Sequence, residues 1–385
     1  MLFTMVAKPK NSQVKLEELQ GFKLIEKFRK ILQSTNSHYS PHPSELDPKR
    51  KLAQNDYFSL FLFTYLNPIL KNMRGLCEAT KLDKIQESVS SNSVSLGSFS
   101  EAQCVFSPEF LLSVIQTLSK QFQPTFGDKR LQAVCKELVA VDGTLVRALP
   151  RMAWALWQDQ SNRSAKLHLH YSLLRQTVIN ASVTDANSCE RVELAQLIEK
   201  DFLYVADRIY GGNYSFFDVF KKKNASYVIR IRNNAVFLEL ESFPITEKDQ
   251  KAGVVWDKKV LLGPKDNPKG PFRLILIKTW DREIRILTNK WDIPAELIGM
   301  IYRYRWEIET LFKWIKCNLQ CRHLLAESRQ GVTIQVYIAI IASLLLFLAL
   351  GHRPKKREME LIHMYSIGWA SLDELLNGLG MKKTP

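Results

Sequence analysis

Residues 138–149, LVAVDGTLVRAL, change the texture of the chain: four apolar residues, an Asp-Gly pair, then alternation. A short apolar run that stops at turn residues reads as a buried strand, and Asp142 stands where that strand reaches solvent. Downstream, 165–174 (AKLHLHYSLL) alternates as a strand should, 176–184 (QTVINASVT) reads as the next strand, and 190–200 as a helix. Residues 202–206 (FLYVA) form a second short apolar run, which ends at Asp207-Arg208 with Gly211-Gly212 just beyond. A helix over 213–222 and a strand over 226–231 follow. Residues 232–289 are β-rich, with turns at Gly253, Gly263-Pro264 and Pro268-Lys269-Gly270 and strands at 272–277 and 283–287. Helix returns at Pro294 and runs to about Asn318.

Upstream of the first strand the chain reads as helical, with apolar residues at helical spacing over 14–32 and 108–121. The segment 54–70 reads as a core helix, and the Ser-rich 87–100 (ESVSSNSVSLGSFS) as a loop or linker. No internal repeat is visible. The order is helices, strands with helices, a β insertion, then helices, which predicts one α/β core with additions.

With 385 residues and 46% hydrophobic content the chain can bury a sizeable core, which excludes a wholly disordered protein. Lys and Arg outnumber Asp and Glu by 54 to 39, a net +15 that points to a polyanionic partner, nucleic acid or an anionic membrane. The apolar stretch 334–350 (IQVYIAIIASLLLFLAL) is at the short end of spanning length and carries Gln335 and Tyr337. It reads as a helix buried on all sides, which leaves nucleic acid as the partner. Six cysteines without a C-x-x-C pair read as reduced thiols in a cytoplasm, and no secretory leader is expected. Cys317, Cys321 and His323 lack the fourth ligand that a structural zinc normally takes. The lysines at 221–223 and 258–259 read as solvated faces.

Three acids carry the chemistry. Asp142 and Asp207 each follow an apolar strand, and strand ends in α/β sheets hold side chains rigidly at a solvent-facing edge. In residues 301–317 (IYRYRWEIETLFKWIKC), 100° per residue places Tyr302, Arg305, Glu309 and Lys316 in one stripe, with Trp306 and Lys313 beside it. An ordinary solvated face with an Arg305–Glu309 ion pair would look the same. Together, however, the acids match phosphoryl transfer with two divalent metals, in which carboxylates hold Mg2+ and Arg and Lys hold phosphates. Tyr302 would bond a phosphate and Trp306 would stack on an unpaired base.

The spacing Tyr302, Arg305, Glu309, Lys316 resembles the Tyr-x2-Arg-x3-Glu-x6-Lys signature of the DDE transposases of bacterial insertion sequences. VDGT at 141–144 and Asp207, Arg208 and Tyr210 resemble the segments that carry that family's first two acids. The resemblance implies Asp142, Asp207 and Glu309 as catalytic metal ligands and Tyr302, Arg305, Trp306, Lys313, Lys316 and Arg208 as DNA contacts. It implies two Mg2+ ions per site, with Mn2+ as the substitute, and cut-and-paste transposition. The implied partners are double-stranded DNA at transposon ends, target DNA and a second copy in a synaptic homodimer, in the bacterial cytoplasm at the nucleoid and with no membrane.

The implied fold is a ribonuclease-H-like mixed sheet with flanking helices. On that plan residues 1–125 form a helical DNA-binding region and 126–231 the first part of the catalytic core. Residues 232–292 form a β-rich insertion, 293–350 the core's C-terminal helices and 351–385 a tail suited to dimerisation. The second tryptophan that relatives supply from the insertion for a flipped base has only Trp280 and Trp291 as nearby counterparts, so a hairpin step is less firmly implied than cleavage. Two rival readings are a catalytically inactive or domesticated DNA-binding protein, and a ribonuclease-H-like nuclease without strand transfer.

Overall fold

The structure, a computed structural model, describes residues 23–35, 41, 43–70, 72–124, 129–263, 269–318 and 324–380. Its strands are β1 (Glu137–Arg147), β2 (Leu156–Trp157), β3 (Asp159–Ser172), β4 (Thr177–Asp185), β5 (Phe202–Ala206), β6 (Ser226–Ile231), β7 (Phe237–Phe243), β8 (Val254–Leu262), β9 (Lys269–Lys278) and β10 (Glu283–Thr288). All belong to one mixed sheet in the order β2-β3-β1-β5-β6-β10-β9-β8-β7, with β4 also on β3. The pairs β1–β3 and β3–β4 are antiparallel, whereas β1–β5 and β5–β6 are parallel. From β6 onward every pairing through β10, β9, β8 and β7 is antiparallel. The β-rich stretch after residue 232 therefore prolongs the sheet, because β10 returns to pair with β6.

Alternation along β1 sorts its side chains between two cores. Leu138 and Ala140 join the large cluster on one face; Val139 and Val141 join a smaller one with Leu194, Phe217 and Phe220 on the other. The large cluster is built around the helix Arg329–Leu350, which packs on the helices Pro108–Ser119 and Gln54–Leu66 and on β4. That helix is apolar on every side, and 89% of its most apolar 18-residue window is buried in the protein. The 334–350 stretch is thus a core helix. Gln335 and Tyr337 are satisfied there: Gln335 Oε1 accepts from the Leu325 amide at 2.9 Å, and the Tyr337 hydroxyl donates to the Ala181 carbonyl at 2.5 Å. Ser328 caps its start and Gly351, at φ 73°, ends it in the left-handed conformation that glycine takes without strain.

Some local expectations are corrected. The Ser-rich 87–100 is not all loop: Ser95 caps a helix Leu96–Ala102 by accepting from the Ser98 amide at 3.1 Å, and Phe99 and Ala102 are buried. Serine composition signals caps as readily as linkers. The expected helix at 213–222 opens as a 3-10 turn, Tyr214–Phe216, before Phe217–Lys222. Of the helix expected over 14–32, only the part from Lys23 is described, within Lys23–Thr35. Its Phe28 and Leu32 belong to the same large cluster as the sheet, so these upstream helices share its core.

Candidate active site

The parallel pairing of β1 and β5 aligns Ala140 with Val205. Two residues further along both strands bring Asp142 and Asp207 side by side where β5 ends and β1 continues. Asp142 lies within β1 with 17% of its side chain exposed, and its Oδ1 accepts from the Gly143 amide at 2.8 Å. Asp207 directly follows β5 and is half-buried; its Oδ1 accepts from the Ile209 amide at 2.8 Å, which fixes the turn.

The helix expected from Pro294 to Asn318 is two helices, Ala295–Tyr304 and Trp306–Asn318, with the break at Arg305. Around it the amide of Arg305 bonds the Tyr302 carbonyl and the amide of Ile308 bonds the Arg305 carbonyl, both at 3.2 Å. These three-residue bonds tighten the chain for one turn. Arg305 keeps αR angles, so the stripe survives the break, but it faces inward rather than to solvent. Tyr302 is 6% and Arg305 7% exposed.

Arg305 joins two of the acids. Its Nη1 is 3.6 Å from Asp142 Oδ2 and its Nη2 donates to Glu309 Oε1 at 2.9 Å. The guanidinium carbon lies 5.8 Å from the Tyr302 ring centre and 5.3 Å from that of Trp306. Burial pushes the Asp142 carboxyl up to about 7; Arg305 opposes this, and the neighbouring charges of Asp207 and Glu190 add to it. Lys316, about two turns beyond Glu309, returns to β1 and donates to Thr144 Oγ1 at 2.7 Å and to the Leu145 carbonyl at 2.8 Å.

The structure thus gathers Asp142, Asp207, Tyr302, Arg305, Glu309 and Lys316 where β5 ends beside the middle of β1. Trp306 is 52% exposed beside them, while Lys313 and Arg208 lie on the exposed surface. Among the described residues no three His, Cys, Asp or Glu side chains stand close enough to hold a metal ion, since Arg305 sits between Asp142 and Glu309. The donor set still suits a hard cation: oxygen ligands on rigid elements, already bridged by one positive group. Of the zinc candidates, Cys321 and His323 lie outside the described residues. Sequence reasoning missed Glu190, the first residue of the helix Glu190–Leu197, whose charge reaches Asp142. A single acid opening a helix is too common a pattern to be singled out in advance.

The transposase DDE domain model matches residues 134–345, more than half of the chain. A Sinorhizobium fredii protein named as transposase y4zB is 30% identical over 49% of this chain and 54% of its own length. A Synechocystis protein named as a transposase for the insertion sequence element IS4SA is 25% identical over 62% of this chain and 65% of its own. A Geobacillus stearothermophilus protein named as a transposase for element IS5377 is 27% identical over 55% and 56%. The chain therefore spans between about half and two thirds of the length of the curated relatives it matches. Among solved structures, a piggyBac transposase in a synaptic complex with hairpin DNA is similar at a TM-score of 0.39 and 12% identity, over 99% of this chain and 87% of that one. A likeness that distant says nothing about this chain's activity.

Proposed function

The chain belongs to the DDE transposases of bacterial insertion sequences, and from that premise we propose that it cuts and joins DNA ends at the Asp142–Asp207–Glu309 centre by metal-dependent phosphoryl transfer. The observation that carries this reading is that two parallel strands set Asp142 and Asp207 side by side while one buried guanidinium joins Asp142 to Glu309 of the helix. A charged site of this kind costs stability, and such costs are retained where function needs them. The strand order β4-β3-β1-β5-β6, with the acids on the two central strands, supports a ribonuclease-H-like core.

Asp142, Asp207 and Glu309 would hold two divalent ions, Mg2+ in this reading, and the ions when bound would activate the attacking oxygen and stabilise the leaving one. Until then Arg305 bridges Asp142 and Glu309 and offsets part of their charge. Cations arriving there would compete for both carboxylates and free its planar fork for bidentate binding of a DNA phosphate. Tyr302 packs beneath that fork and holds it in place. Lys316 is tied to β1 through Thr144 and Leu145, which fixes a positive charge next to the acids where the scissile strand would pass. Trp306 offers an exposed indole for stacking on an unpaired base, and Arg208 and Lys313 offer surface charge to flanking phosphates. Synapsis through a homodimer, a target duplex and the cytoplasmic, nucleoid-associated setting belong to the same reading.

Supercoiled plasmid carrying the DNA that borders the gene tests it. Incubation with Mg2+ should nick the borders, EDTA should stop the reaction, and Glu309→Gln should slow it at least about 100-fold. Glu309→Gln cutting at the wild-type rate would sink the assignment. Retardation of the DNA without any cutting would favour an inactive DNA-binding protein, and cutting without joining of pre-cut ends to a target would favour a simple nuclease.

A further inference from the structure

The strands β5 and β6 run parallel with Ala206 paired to Ile229, so the next residues along them, Asp207 and Arg230, stand side by side. Asp142, Asp207 and Arg230 thus occupy neighbouring positions on β1, β5 and β6 in turn. Alternation assigns all three to one face of the sheet. Ala140, Val205 and Val228, two residues before each, belong to the large cluster that also contains Tyr302, whereas Ile229 and Ile231 belong to the smaller one. Tyr302 accordingly has two guanidinium groups as charged neighbours, Arg305 and Arg230.

The two are differently occupied. Arg305 has an unpartnered Nε, yet both of its Nη atoms face a carboxylate. Arg230 is half-buried, its Nε is buried, and that atom has no hydrogen-bond partner among the described residues. Nor does its side chain form an ion pair among them. Its paired residue on β10 is the buried Ile286, whose side chain offers no acceptor. The turn after Asp207 closes directly over it: a Cβ on Gly211 would overlap the Arg230 carbonyl, so this strand end and that turn are in contact. A buried donor on a charged group is expensive without an acceptor, and here the chain supplies none.

We propose that Arg230 holds a backbone phosphate of the DNA strand that passes Asp207, so that the strand is gripped on the β6 side of the acids as well as on the β1 side, where Lys316 stands. This deepens the functional reading above, and binding measured without divalent ions separates it from cleavage. Fluorescence anisotropy of a duplex copied from the DNA that borders the gene, titrated with the full chain in EDTA, reads affinity across a salt series. Arg230→Met should weaken binding about tenfold. It should also lower the slope of log affinity against log salt by about 0.9, the loss of one phosphate contact. Arg230→Lys keeps the charge and should keep the slope. Without DNA, Arg230→Met should unfold in urea at the wild-type midpoint or above it, because the guanidinium has no partner to lose. An unchanged slope in Arg230→Met would overturn the proposal, and so would a lower urea midpoint or a failure to fold, which would mark a structural role. Glu309→Gln cutting at the wild-type rate would sink the catalytic assignment without touching these slopes, whereas an unchanged slope removes only the Arg230 contact.

Discussion

Asp142→Asn should abolish strand cleavage, by at least about 1,000-fold, and at the same time make the metal-free protein more stable at pH 8. The first effect follows from removing a charged oxygen ligand on a rigid strand. The second follows from what that charge costs in the absence of ions. Burial raises the Asp142 carboxyl to about 7, more than Arg305 lowers it. An acid with a raised folded pKa keeps its proton in the native state while the unfolded chain, near 3.8, has released it. Its contribution is therefore complete below about pH 4 and is lost as pH rises toward 7. At pH 8 the wild type carries a buried, incompletely neutralised carboxylate, and asparagine does not. Urea unfolding in EDTA should show the variant about 1–3 kcal/mol more stable at pH 8, with the gain shrinking toward pH 5, where wild-type Asp142 is protonated. A variant less stable than wild type at pH 8 would mean that Arg305 fully compensates the charge.

The largest loss of stability is expected far from the acids, at Arg273. This residue of β9 is 6% exposed and faces Asp257 of β8, 3% exposed, with Nε 3.1 Å from both carboxylate oxygens and Nη2 2.6 Å from Oδ2. Its Nη1 donates to the carbonyls of Lys290 at 2.8 Å and Ile293 at 2.6 Å. Those two residues end just before the helix Ala295–Tyr304, so Arg273 ties the outer strands to the element that carries Tyr302 and leads into Arg305. Asp249 makes a second tie, its Oδ1 accepting from the Glu296 amide at 2.8 Å. Arg273→Met leaves Asp257 charged, buried and unpaired and should cost about 3–5 kcal/mol, read from the urea midpoint. Adding Asp257→Leu should restore part of that but not all, because the Lys290 and Ile293 carbonyls remain without a donor. Recovery to the wild-type midpoint would show that those carbonyl bonds contribute little.

These two sites mark what could be read in advance. The end of β5 at Asp207 was legible because a buried strand is a short apolar run that stops at polar residues; β1, by contrast, does not stop at Asp142 but runs on to Arg147 along β3. The Tyr302–Lys316 stripe was legible because helical periodicity groups those residues whether or not the helix is continuous. That it faces inward was not, since an amphipathic polar stripe looks the same whether it meets solvent or a buried acid; only the packing of Trp306–Asn318 against β1 decides. The break at Arg305 leaves no mark either, because Tyr, Arg and Trp are all acceptable helix formers. Arg273 and Asp257 lie 16 residues apart on paired strands, and nothing local announces a register. Glu190 packs into the space that Gly143 leaves on β1, a close approach between a strand and a helix nearly fifty residues apart that no local pattern announces.

The site itself can be mapped without any DNA substrate. Fe2+ replaces Mg2+ at oxygen sites, and with ascorbate and peroxide it cuts the nearest backbone, so the fragments report which residues surround the ion. Fragments from the full chain should end near Asp142, Asp207 and Glu309, and excess Mg2+ should suppress them together. Cuts that fall elsewhere, or that persist in Asp142→Asn, would contradict a metal centre at these three acids.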